Sequence, residues 1–242
     1  MAMNKNSNLY IIVYSTIMVV IVATLLAVAS LSLQSRQQAN MLGEKKGAIL
    51  SSLNAAGENY DTFVKALVLN AEGQPIEGDA LDLLFGLKDA FEAGTYPIFE
   101  AQNGRVVIPV YGNGLWGPVW GYLALEPDMN TVVGIVLDHS GETPGLGAEI
   151  ATAKHQAQYV GKTIFEGEEL VAITLKKGGA TEANIQHEVD AISGGTKTCD
   201  GVTAMLYNSL KNYLPYLKAR IAAQAAVEVP AEEETLSNEN LQ

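Results

Sequence analysis

Asp190-Ala191-Ile192-Ser193-Gly194-Gly195-Thr196-Lys197-Thr198 is the stretch around which the chain is organised. Upstream, Ile185, His187 and Val189 alternate with Gln186, Glu188 and Asp190, the period of a strand. Downstream, Val202, Leu206, Leu210, Tyr213 and Leu214 recur at helical spacing, with Thr198 or Asp200 available as the N-cap. The local reading is strand, short loop, helix. Two glycines let the backbone come close to a ligand. The loop hydroxyls lie beside the unpaired amides of a helix start, where a phosphate is stabilised. Ser-Gly-Gly-Thr alone is a weak signal, and a turn before a helix is its simpler reading.

Working outward, Val171–Leu175 reads as a strand and Ala148–Val160 as a helix stopped by Gly161. Val119–Leu125 and Thr131–Leu137 form a strand pair. Ile98–Gln102 and Arg105–Val110 flank Asn103-Gly104, a strong hairpin signal. Asp79 is predicted to cap a helix that turns Leu81, Leu84, Phe85 and Phe91 inward and stops at Gly94. Phe63–Leu69 is a further strand, ending in the turn Asn70–Gly73. Strands cluster in the middle with helices at intervals, so the class is α+β.

A second loop, Ser140-Gly-Glu-Thr-Pro-Gly-Leu-Gly147, follows a strand and opens the helix predicted from Ala148. Gly145 and Gly147 expose backbone on either side of Leu146. Such a loop can lie against a flat ring, amides meeting its polar edge and leucine its face; a structural turn is the simpler reading. Gly112, Gly114 and Gly117 spell G-x-G-x-x-G, with Asp138 at a suitable distance. A dinucleotide site needs a helix to begin inside that loop. Here Pro118 and a strand-like run follow, so the glycines are assigned to a glycine-rich loop carrying Trp116 and Trp120, packed or facing a partner.

The N-terminal segment has no charge from Asn6 to Ser35, and Leu9–Leu33 is long enough to cross about 30 Å of hydrocarbon. Tyr10 and Tyr14 sit near one interface. The apolar run exceeds that of a cleaved signal peptide, so one retained transmembrane helix is expected. Lys5 and the amino terminus lie on one side, Arg36, Lys45 and Lys46 on the other, which by charge alone leaves the large domain in the cytoplasm. Gln37–Asn54 continues as helix, weakened by Gly43 and Gly47.

The 242 residues carry a formal net charge of −12, which argues against a nucleic-acid partner. Glu228, Glu232, Glu233, Glu234 and Glu239 fall in a tail expected to be disordered. Three parts follow: residues 1–36, a domain over 37–227, and a tail over 228–242. The single cysteine, Cys199, excludes an internal disulfide and is read as a bystander beside the loop. His139, His155 and His187 lack metal-ligand spacing.

Asp190-x-x-Ser193-Gly194-Gly195-Thr196 resembles the flavinylation motif Asp-x-x-Ser-Gly-Ala-Thr read by flavin transferases, departing from it at Gly195. Glu142-Thr-Pro-Gly-Leu-Gly147 resembles the companion segment of covalent FMN-binding domains. Gly114-Leu115-Trp116-Gly117 with its following Tyr-Leu-Ala-Leu strand resembles the C subunit of the sodium-translocating NADH:quinone reductase. The three motifs occur in that family's order, and the resemblance extends to the single N-terminal helix.

The resemblance implies an FMN joined through its phosphate to the Thr196 hydroxyl, with Asp190, Ser193, Gly194, Gly195 and Thr198 in or beside the segment the transferase reads. It places the ring near Glu142, Thr143, Gly145, Leu146 and Gly147. It implies an electron relay between an iron–sulfur centre and a second covalent FMN in partner subunits, where sodium movement resides. It also implies a bacterial inner-membrane protein with the large domain in the periplasm, against the charge count. The corresponding subunit of the ferredoxin:NAD oxidoreductase complex and a membrane-anchored binding domain are the alternatives.

Overall fold

The computed structural model describes residues 8–228. The chain divides into two compact units, Met1–Lys45 and Lys46–Gln242. Lys5 and all but the first residue of the predicted acidic tail lie outside the described residues. Helix α1 (Asn8–Ser52) contains the predicted membrane segment. It is long and apolar enough to cross a membrane, and large side chains from Leu9 to Leu33 are exposed along it. Gly43 and Gly47 do not break it: the expected second helical segment is its direct continuation. Beyond its end, the Leu53 carbonyl accepts from Arg105 Nη1 at 3.1 Å. The same guanidinium grips Glu126 through two bonds of 3.0 and 2.8 Å. A cation is favoured at that end of a helix.

Next come α2 (Tyr60–Phe63), β1 (Val64–Leu69), β2 (Pro75–Ile76), α3 (Ala80–Leu83), α4 (Leu87–Glu92), β3 (Tyr96–Ala101), β4 (Val106–Asn113), β5 (Pro118–Leu125) and β6 (Val132–His139). The strands form one antiparallel sheet in the order β2-β1-β3-β4-β5-β6. The Asn103-Gly104 hairpin forms as predicted, with Gly104 at φ +84°. Asp79 caps α3 by accepting from the Leu81 and Asp82 amides. The single helix expected after it is broken at Gly86, which is non-helical. The break resets the helical register, so Leu84 and Leu87 are buried while Phe85, expected inside, is 47% exposed.

The sheet is buried on both faces. Ile98, Val106, Ile108 and Leu123 join one core, while Phe99, Val107, Tyr122 and Ala124 join the other. A strand covered on both sides needs no polar alternation, hence the unbroken Val106-Val107-Ile108 run. The second core also takes Ile49, Leu50 and Leu53 from the end of α1 and its exit.

The rest of the chain supplies the layer that carries the loops. The predicted helix 148–160 is replaced by a 3-10 turn (Gly147–Ala151), α5 (Ala153–Gln156) and a second 3-10 turn (Ala157–Tyr159). Thr152 is extended between them (φ −78°, ψ 144°) and its hydroxyl accepts from the His155 amide, so helix starts afresh there. A short hairpin of β7 (Phe165–Glu166) and β8 (Glu169–Leu170) has no counterpart in the sequence reading. Strand β9 (Thr174–Lys176) begins later than predicted and pairs in parallel with β10 (Glu188–Asp190). The latter is shorter than the alternating run suggests. Ile185 is exposed, and its carbonyl accepts from Lys162 Nζ instead of joining the ladder.

Helix α6 runs from Thr196 to Glu228. Its start corrects the predicted N-cap: Thr198 is already inside the first turn. Val202, Leu206, Leu210 and Tyr213 pack on the sheet as their spacing predicts. The Tyr213 hydroxyl donates to the Pro97 carbonyl at 2.8 Å.

Glu188 in β10 is 5% exposed and accepts from both the amide and the hydroxyl of Thr181 at 2.8 Å. These bonds to Thr181, with Asn184 and Lys176 behind them, outweigh burial and bring its carboxyl down to about 2 from an ordinary 4.5. A depressed acid contributes stability that is complete above its unfolded value and lost as pH falls through its folded value. Glu188→Gln should therefore lower the melting temperature at pH 7, and the gap to wild type should close between pH 4.5 and pH 2. A gap independent of pH would assign the effect to packing.

Candidate functional site

The loop Ala191–Gly195 joins β10 to α6. Asp190 closes the strand with its amide donating to Gln158 Oε1 at 2.9 Å, and its Oδ1 accepts from the Ala180 amide at 2.8 Å. Gly194 is in the left-handed region at φ +76°, and a Cβ there would stand 2.6 Å from Leu146 Cδ2. The two loops singled out from the sequence, about fifty residues apart, therefore touch. Gly195 is buried, with the Gly147 amide and Ile192 3.3–3.4 Å from a hypothetical Cβ. Alanine in that place would require only a small shift.

Three threonines lie near the start of α6, and tertiary structure separates them. Thr198 is 1% exposed and donates its hydroxyl to Glu142 Oε2 at 2.6 Å. Thr203 Oγ1 accepts from the Leu175 amide at 3.0 Å and ties α6 to β9. Thr196 is exposed, and its hydroxyl has no partner among the described residues. It lines a cavity of about 560 Å³ with Lys177, Gly178, Gly179, Asp190 and Ser193.

Glu142 is the joint between the two loops. Its carboxylate is 5% exposed and accepts from Thr198 and, at 2.9 Å, from the Trp116 amide. Burial alone would push the carboxyl up. The Thr198 hydroxyl and the Trp116 and Leu115 amides outweigh that, with His139 adding to them, and hold it below its ordinary value. The pair leaves no room around it. A Cβ on Gly147 would be 2.4 Å from both Glu142 Oε2 and Thr198 Oγ1, and one on Gly114 2.4 Å from Glu142 Oε1. Of the predicted ring-contacting residues, Glu142 and Gly147 are thus buried in this joint, while Thr143, Gly145 and Leu146 are exposed.

The G-x-G-x-x-G glycines serve close packing. Gly112 faces Met205 of α6 and Gly117 faces Ser140, each at under 3 Å from a hypothetical Cβ, and β5 begins at Pro118. The loop between them leaves Leu115 54% and Trp116 68% exposed, and Leu146 in the other loop is 42% exposed. Cys199 is buried, its sulfur accepting from the Ile192 amide, and burial pushes its thiol up. The three histidines go to different places: His139 accepts from the Glu142 amide, His155 meets the Tyr159 hydroxyl, and His187 meets the Thr163 carbonyl. The Lys177–Gly179 turn was missed from the sequence, although Gly178-Gly179 between two strands is a turn signal.

Together these residues provide an exposed hydroxyl at a helix start, a cavity beside it, and exposed Leu115, Trp116 and Leu146 next to the same joint. Those features suit a ligand with an anionic phosphate at one end and a flat, largely apolar ring at the other.

Comparison with known proteins agrees. Residues 114–211, which hold both loops, match the model of the FMN-binding domain family. The C subunit of the Na(+)-translocating NADH-quinone reductase of Vibrio anguillarum is 32% identical over 226 residues, covering 82% of this chain and 87% of that protein. The crystal structure of the same subunit from Parabacteroides distasonis superposes with a TM-score of 0.69 at 37% identity, over 76% of this chain and 96% of that one. NqrC of Shewanella oneidensis superposes with a TM-score of 0.63 at 28% identity, over 75% and 99%. Three sequence motifs gathered at one joint, a shared fold and a relative matched over most of its length place this chain in the NqrC family, that of the C subunit of the Na(+)-translocating NADH-quinone reductase.

Proposed function

We propose that the chain is the electron-relay subunit of a membrane sodium-pumping NADH:quinone reductase and carries FMN as a phosphoester on Thr196. One observation carries the choice of residue. Among the three threonines near the start of α6, only the Thr196 hydroxyl is both exposed and unpartnered. Bound FMN supplies reversible electron transfer, and the protein tunes it through orientation, hydrogen bonds and burial. Asp190 fixes the loop geometry through the Ala180 and Gln158 bonds. Ser193, Gly194 and Gly195 keep the loop narrow enough for a transferase to reach the threonine. Thr143, Gly145 and Leu146, with Leu115 and Trp116 tied to the same loop through Glu142, offer the ring an apolar wall. Glu142, Thr198 and Gly147 act behind that wall by holding it in place.

Peptide mass spectrometry of the chain co-expressed with a flavin transferase should find the FMN adduct on Thr196; an adduct on Thr198 or Thr203 would refute the assignment. The remaining subunits of the complex supply the electron donor, the acceptor and the sodium path. On this reading residues 1–36 anchor the chain in the bacterial inner membrane, and 37–227 form a periplasmic domain where the transferase works. C-terminal reporters that are active on one side only should give a periplasmic signal, and a cytoplasmic one would exclude this route of flavinylation.

A further inference from the structure

The Lys177–Gly179 turn shares the cavity of Thr196. Strands β9 and β10 run parallel, with Lys176 opposite Asp190. Lys177 therefore leaves its strand alongside the point where the acceptor loop leaves the other. The Ala180 amide, donated to Asp190, pins the turn there.

Three charged residues line the cavity, Lys177, Asp190 and Asp200, and of these Lys177 is the cation. Lys176 lies 3.4 Å from Glu188, and Lys197 lies 3.8 Å from Asp200. The Asp190 carboxylate is engaged by the Ala180 amide. Lys177 lines the cavity with no acidic partner among the described residues. A lysine ammonium is a compact point charge well suited to a phosphate oxygen. A phosphodiester on Thr196 would bring one negative charge into this cavity.

Resting on the attachment proposed above, we propose that Lys177 is the counter-ion of the flavin phosphodiester, pairing with an oxygen of the phosphate that is not bonded to carbon. Its role is positioning: it holds the phosphate end, so that the ring's place depends on fewer free torsions. Gly178, next in the chain, leaves space for the phosphate, since a Cβ there would meet nothing within 4 Å, whereas one on Gly179 would stand 3.3 Å from Asp190 Oδ1.

The test uses the full chain co-expressed with a flavin transferase, as wild type, K177Q, K177R and K197Q. Intact and peptide masses come first, and wild type without FMN on Thr196 would remove the attachment reading itself. On the loaded chains, the phosphorus-31 resonance of the diester should move in K177Q, stay near the wild-type position in K177R, and be unchanged in K197Q. The K177Q difference should shrink at high salt, because an exposed pair is screened. Unmoved phosphorus resonances in a loaded K177Q chain would overturn the counter-ion role while leaving the attachment intact. A folded K177Q that stays unloaded beside a loaded K177R and K197Q would overturn it too, making Lys177 a residue read by the transferase.

Discussion

Thr196→Ala should give a folded chain lighter by the bound FMN, with no flavin fluorescence on a denaturing gel. Thr196 is exposed and its hydroxyl makes no hydrogen bond among the described residues, so removing that hydroxyl costs the fold little. The loss of cofactor should be complete, because the Thr198 and Thr203 hydroxyls are engaged and the exposed Ser193 hydroxyl stands three residues before the acceptor position. Thr198→Ala should keep the flavin and lose stability instead, since it breaks the 2.6 Å bond to a buried carboxylate. Hydrogen bonds to charged groups are worth about 1.5–3 kcal/mol. Thr196→Ser retains the hydroxyl and asks whether the transferase also reads the methyl. A fluorescent Thr196→Ala band would sink the assignment.

The second large effect is expected at the joint. Gly147→Ala puts a methyl 2.4 Å from both Glu142 Oε2 and Thr198 Oγ1. It must break that bond or push the loop away. Overpacking and a lost charged hydrogen bond together cost about 2–4 kcal/mol, which lowers the melting temperature of a domain this size by roughly 5–15 °C. The flavin spectrum should shift with it, because Leu146 rides on the same loop. Gly145→Val is the contrast. Its backbone is left-handed at φ +75°, so valine is strained by about 1–2 kcal/mol. Nothing lies within 4 Å of its Cβ position, however, so the joint survives. Glu142→Gln removes the charge and turns an amide toward donors, and it should be non-additive with Thr198→Ala in a double-mutant cycle. Equal losses from Gly145→Val and Gly147→Ala would mean that the joint does not organise the loop.

The sequence by itself determined what depends on near neighbours in the chain. The uncharged run Leu9–Leu33 required a membrane-length helix. Asn103-Gly104 required a hairpin, because only residues tolerant of positive φ make that turn. Asp79 was legible as a cap, and the apolar spacing from Val202 to Tyr213 as one face of a helix. The family was legible too, since its motifs are short and contiguous.

Tertiary structure decided what depends on residues far apart. Gly86 and Thr152 are a helix breaker and a capping residue by type, but that the chain breaks at each of them shows only in the fold. Thr198 looked like a cap and an alternative acceptor. Its hydroxyl is taken by Glu142, 56 residues away. The glycines at 112, 114 and 117 spell a nucleotide motif in sequence, but in space they make room for Met205, Glu142 and Ser140. Lys177 carried no signal, because its meaning comes from the parallel pairing of β9 with β10, which brings it beside Thr196. Local patterns fix conformation through a residue's own torsions and its turn neighbours. Partnership across fifty residues is fixed only when packing brings the groups into contact and burial makes an unpaired one costly.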